Sequence, residues 1–144
     1  MRNGRQRCIA VNRPTEMIHY LRSLRLKIYR FDAQVGKEIH QYNSESVSIS
    51  GTLHLQSKAR VSCIYFGTHA RIGYHPAHSA QLFCVVAGEG WVRGDSSEPV
   101  AIAAGRAAYW EAGEWHESGT ESGMTVVVIE SDTLVPSEFM PFAN

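Results

Sequence analysis

From Leu26 onward, apolar and polar positions fall into short runs separated by Gly, Pro, Asn, Asp or Ser. The runs are "LKIYRF", "SVSIS", "TLHLQ", "ARVSCIYF", "QLFCVVAG", "GWVRG", "PVAIA", "AAYWEA" and "MTVVVIE". Their length, their content of β-branched and aromatic residues, and the turn residues between them predict strands, and hence an all-β domain. Several runs are almost continuously apolar. Such strands are covered on both faces, or line a cavity with one of them, which favours a closed double-sheet barrel over an open sheet. The tail "SDTLVPSEFMPFAN" has two prolines and two phenylalanines and predicts an irregular strap packed on the barrel. There is no internal repeat.

The beginning of the chain has a different pattern. Met17, Leu21, Leu24 and Ile28 recur at helical spacing. Residues 1–30 hold eight Lys or Arg against Glu16 alone, whereas the remainder holds six against thirteen acids. The expected division is a short basic, helical N-terminal arm over residues 1–25 and a barrel over 26–144. One helix does not make a helix-turn-helix, so no nucleic-acid partner is expected. No apolar run is long enough to span a bilayer, so no membrane partner is expected either. The basic start lacks the apolar stretch of a secretory signal, which points to the cytoplasm. Cys8, Cys63 and Cys84 are an odd, widely spaced set without a CxxC pair, and are expected to be reduced, structural thiols.

The candidate chemistry lies in "IGYHPAHSAQLFCVVAGEGWV", residues 72–92, and in the later "GRAAYWEAGEWHESGT", residues 105–120. These stretches resemble the two motifs of the cupin superfamily, G-x5-H-x-H-x3,4-E-x6-G and G-x5-P-x-G-x2-H-x3-N. In the first motif His75 takes the first His place, Ala77 the second, Gln81 the Glu place and Gly88 the closing Gly, with His69 where the opening Gly would stand. In the second, Gly105, Gly113 and His116 are in register, with Glu111 in place of Pro and Thr120 in place of Asn. The resemblance implies a cupin double-stranded β-helix, or jelly-roll barrel. It also implies a divalent transition metal (Zn, Fe, Mn or Ni) held by His75, Gln81 and His116.

Side-chain parity on an extended strand puts His75, Ala77 and Gln81 on one face, and His78 on the other unless a bulge near Pro76 shifts it. His78 is therefore an optional fourth ligand. Replacing the usual Glu by Gln81 leaves a neutral ligand set with less attraction for a cation. A ligand pocket is expected around Phe83, Tyr109, Trp110 and Glu114; Trp91 and Trp115 are read as core or rim packing. The acids Glu111, Glu117 and Glu121 are read as solvated. Two functions stay open: a metal-dependent enzyme acting on a small organic substrate, and a non-catalytic cupin that binds a sugar or organic acid without metal. The resemblance also implies a homodimer.

Overall fold

The computed structural model describes residues 26–38, 40, 45–46, 48–52, 56–95, 98–137 and 140–143. The expected arm over 1–25 and the centre of the expected strand "TLHLQ" lie outside them. The strands are β1 (Lys27–Arg30), β2 (Lys37–Glu38), β3 (Ser48–Ile49), β4 (Arg60–Phe66), β5 (Arg71–Pro76), β6 (Ala80–Arg93), β7 (Val100–Ala103), β8 (Arg106–Trp110), β9 (Trp115–Gly119) and β10 (Met124–Ser131). The described residues contain no α-helix, and so none long enough to cross a membrane.

One antiparallel sheet has the order β4-β10-β6-β8-β1; the other runs β5-β9-β6-β7. From β4 to β10 the chain passes from one sheet to the other at each step except the turn from the second half of β6 to β7, which pair within one sheet, and β6 belongs to both. This is the jelly-roll order. β2 and β3 form a separate small hairpin-like pair.

The 14 residues of β6 form one strand where the apolar pattern suggested two. Its first half pairs with β8 and β10, and its second half with β7 and β9. The bend lies at Gly88, which does not end the strand but turns it between sheets. The β10 register shifts there, with Thr125 opposite Ala87 and Val126 opposite Val85, so one residue bulges out of the ladder. Gly88 has φ +77°, and a Cβ on it would lie 2.3 Å from the Gly123 carbonyl oxygen. Only glycine fits both the conformation and the space.

The core has two layers. Phe66, Phe83, Val85, Val92, Ile102, Trp110, Met124, Val126 and Val128 fill the space between the sheets. On the outer face of the larger sheet, Tyr29, Leu82, Cys84 and Ala107 are covered by Leu134 and Met140 from the C-terminal strap. Phe142 extends that cover, bridging to Tyr29 with ring centres 4.9 Å apart. The strap stops short of β4, where Val61 and Tyr65 are 63% and 77% exposed. Cys63 is exposed there too, contrary to the expectation of structural thiols, whereas Cys84 is buried. Cys8 lies outside the described residues.

At the other edge, Arg30 and Arg106 are direct partners in the β1–β8 ladder. Asp32 lies between their side chains, accepting from Arg30 at 2.9 and 3.0 Å and from Arg106 at 2.6 Å. It also accepts from the Gln34 backbone N–H, capping a 3-10 turn over Ala33–Val35. The Arg30 hydrogen bond above all holds the Asp32 carboxyl well below the usual range.

Candidate functional site

β5 and β9, which carry the two histidines, are absent from the apolar-run reading. WHESG has polar residues at both parities, and RIGYHP has Ile72 as its one aliphatic side chain, so neither reads as an apolar run. The structure pairs them antiparallel, with His75 directly opposite His116 and Pro76 opposite Trp115. Pro76 ends β5, since it has no N–H for the ladder. The chain is then tied down by Ala77, whose N–H donates to the Glu114 carbonyl at 2.9 Å and whose carbonyl accepts from Gly113 N–H at 2.7 Å. The turn before β9 and the end of β5 thus lock together, fixing both histidines.

The two imidazole ring centres are 4.4 Å apart, tilted by 54°. His116 is buried and stacks on Trp110 at 4.5 Å, and Trp110 in turn meets Phe83 edge-on at 5.6 Å. Each histidine has its Nδ1 against a backbone carbonyl: Gly73 at 2.6 Å for His75, and Glu114 at 3.3 Å for His116. A carbonyl only accepts, so Nδ1 carries the proton and Nε2 keeps its lone pair. Burial, with a smaller contribution from His75, pushes the His116 pKa down and so favours the neutral ring, outweighing the backbone hydrogen bond to Glu114, which favours the charged one.

Both rings line a cavity of about 140 Å³ inside the barrel, together with Ser62, Ser118, Gln81 and Glu130 and the apolar Ile64, Ile72, Phe83 and Val128. At about 30 Å³ per water, this is space for a few waters or a ligand of a few heavy atoms. Gln81 reaches the cavity from β6, but not by continuing the β5 parity, because residues 77–79 leave the strand. Its Nε2 donates to Glu130 Oε1 at 3.0 Å. Glu130, opposite Gln81 in the β6–β10 ladder, is the cavity residue that the sequence reading missed. The signal was present: Met124, Val126 and Val128 alternate inward along "MTVVVIE", and Glu130 is the next position of the same parity.

The other expected site residues are distributed differently. His78 is exposed and does not line the histidine cavity; it borders a neighbouring polar depression with Lys58, Arg60 and Asp132, which shares Glu130 with that cavity. The ladder irregularity falls between Ile72 and His75, before Pro76, and does not bring it in. Phe83 lines the cavity, and Trp110 supports it from behind His116. Tyr109 has the opposite parity on β8. It packs on the outer face, and its hydroxyl donates to the Leu134 carbonyl at 3.4 Å.

Glu114 is buried in the turn rather than at the cavity: its Oε2 accepts from Glu111 N–H at 3.0 Å, and its Oε1 has no hydrogen-bond partner. Burial pushes its carboxyl up to about 7. Glu117, read as solvated, is buried on β9, where Arg93 donates to it at 2.6 Å and Arg71 lies at 3.6 Å. Its segment is a strand, not a loop.

Two imidazoles bound to one ion at about 2.1 Å and at right angles would have ring centres about 4.5 Å apart, close to the observed separation. The free Nε2 atoms and backbone-anchored Nδ1–H groups have the chemistry of a metal-binding pair. Among the described residues no three His, Cys, Asp or Glu side chains converge as a ligand set. The donor set thus fits an ion bound by two histidines, with oxygen donors or water at its other positions.

The fold and cavity together define a jelly-roll barrel with a histidine-lined interior. No protein-family model matches the chain, and no curated protein matches it. Several similar solved structures carry the name cupin. A cupin superfamily protein from Desulfitobacterium hafniense is 14% identical, with 60% of this chain and 79% of that one covered and a TM-score of 0.48. An RmlC-like cupin from Shewanella frigidimarina is 20% identical, with coverages of 60% and 74% and a TM-score of 0.48. A predicted oxalate decarboxylase from Thermotoga maritima is 18% identical, with coverages of 56% and 69% and a TM-score of 0.47.

Proposed function

We propose that this barrel binds a divalent first-row transition ion (Zn, Fe, Mn or Ni) through His75 and His116 and presents it to a small organic ligand in the cavity. The observation that carries this reading is the facing pair itself: two histidines in register on adjacent strands, each with its Nδ1 committed to a backbone carbonyl. When bound, such an ion supplies Lewis acidity, polarising a ligand oxygen. The chain supplies the rest. The β5–β9 ladder and the Trp110 stack orient the rings, Phe83, Ile64 and Val128 restrict water, and Ser62 and Ser118 offer hydroxyls to the ligand. The test is elemental analysis of untagged protein after dialysis against each ion. Near-stoichiometric metal that is lost in His116→Ala supports the reading; no metal under any condition sinks it.

A second reading, a metal-free binding module for a small organic acid or sugar, is favoured by one observation: the amide at the usual carboxylate position is already hydrogen-bonded to Glu130. Thermal-shift screening of small acids and sugars against metal-free protein separates the two. We further propose a cytoplasmic homodimer that pairs along β4, an edge strand with outward Val61, Cys63 and Tyr65 exposed and a charge only at Arg60.

A further inference from the structure

We infer that Glu130 is the working carboxylate of this cavity, displaced by one strand from the position where the resemblance expects it, and that it acts through Gln81. The inference rests on the two-histidine reading proposed above. Gln81 occupies the usual carboxylate position on β6, and Glu130 is its direct ladder partner on β10. The two side chains meet inside the barrel, with Gln81 Nε2 donating to Glu130 Oε1 at 3.0 Å. Among the residues lining the cavity, Glu130 is the one carboxylate, beside two imidazoles, an amide and two hydroxyls. On its other side Glu130 borders the depression lined by Lys58, Arg60 and His78, where it pairs with Arg60; that guanidinium is 79% exposed with its Nη1 at 4.0 Å from Oε2, a solvent-screened pair that offsets little of the carboxylate charge.

Two consequences follow from this geometry. Donation from Nε2 fixes the amide rotamer, so Oε1 is the Gln81 atom left free to accept or to ligate, which is the atom a hard or borderline cation prefers. The carboxylate also makes the cavity anionic, although its ladder partner on β6, Gln81, is neutral. In a low-dielectric barrel that charge favours a divalent cation over an anion or neutral ligand. Glu130 is therefore a positioning residue for Gln81 and the source of the negative charge that Gln81 does not supply.

The test exchanges the two groups. Co2+ affinity, read by its visible absorption in the full-length protein, is compared for wild type, Glu130→Gln, and the double variant Gln81→Glu with Glu130→Gln, with the melting curve of each metal-free protein recorded alongside. Glu130→Gln should weaken Co2+ binding about 10- to 100-fold while the metal-free melting temperature changes little. The double variant restores one carboxylate and one amide across the same ladder position, and should recover most of the affinity. Unchanged affinity in Glu130→Gln overturns the inference, as does a double variant that folds but binds no better than the single one. If wild type takes up no Co2+, the two-histidine reading fails and this inference fails with it; that result is distinct from normal wild-type uptake with an insensitive Glu130→Gln.

Discussion

His75 and His116 are direct partners across the β5–β9 ladder, and their ring centres stand 4.4 Å apart although the residues are 41 positions apart in the chain (116 − 75). The pairing makes the two imidazoles converge in the barrel cavity, beside Ser62, Ser118, Gln81 and Glu130. His116→Ala should lower metal affinity at least about 100-fold by removing one of two imidazoles. It should also cost about 1–2 kcal/mol of stability, because the ring that covers Trp110 is lost. Calorimetric metal titration and urea denaturation of the metal-free protein measure the two effects separately.

Gly88→Ala tests how β6 serves both sheets. The added methyl has to tolerate a left-handed backbone and to displace the Gly123 carbonyl, 2.3 Å from its ideal position. A loss of about 2–4 kcal/mol in urea denaturation is expected. A loss under 1 kcal/mol would mean that the bend does not depend on this glycine.

Asp32 gives the protein an acid-sensitive edge. Its folded-state carboxyl is held below the unfolded value, chiefly by Arg30, so its contribution is present above the ordinary carboxylate pKa and is lost as pH falls through the folded one. Asp32→Asn should therefore lower the melting temperature at pH 7, where Arg30 and Arg106 would face each other without an intervening anion. The difference from wild type should shrink toward pH 2. A difference independent of pH would contradict this account.

The cysteines report on the covered and uncovered parts of one face of the larger sheet, since both stand in register with Val127. In a Cys8→Ser background, at a dilution where the monomer predominates, a maleimide should label Cys63 quickly at pH 7. Cys84 lies under the strap with its thiol pushed up to about 12 by burial, and should stay unlabelled until the protein is unfolded. Mass spectrometry after brief labelling distinguishes them.

Tyr65→Lys tests the proposed homodimer. A charged, flexible side chain at the most exposed position of the β4 stripe should convert a dimer to a monomer in light scattering without lowering the melting temperature of the monomer, since Tyr65 is 77% exposed. A wild-type protein that is monomeric at all concentrations would sink the proposal.

Apolar periodicity by itself determined the all-β class and most of the strands, because burial on a pleated sheet writes a two-residue period into any strand with an apolar face. The runs that became β1, β4, β7, β8 and β10 were legible for that reason, and so was the packing of the tail. Motif spacing pointed to His75, Gln81 and His116 before any geometry was known. What the sequence alone did not determine were the features set by contacts between distant residues. β5 and β9 carry histidines and acids rather than an apolar stripe, so only their mutual pairing identifies them as strands. Parity continued along residues 75–81 connected His75 to Gln81 through a strand that breaks at Pro76, and the tertiary fold brings the two together by another route. Tyr109 and Glu114 are near the histidine motif in sequence, yet strand parity and the turn before β9 direct them elsewhere. Glu130 is far from either motif and reaches the cavity because β10 lies beside β6, a neighbour relation that only the closed barrel creates.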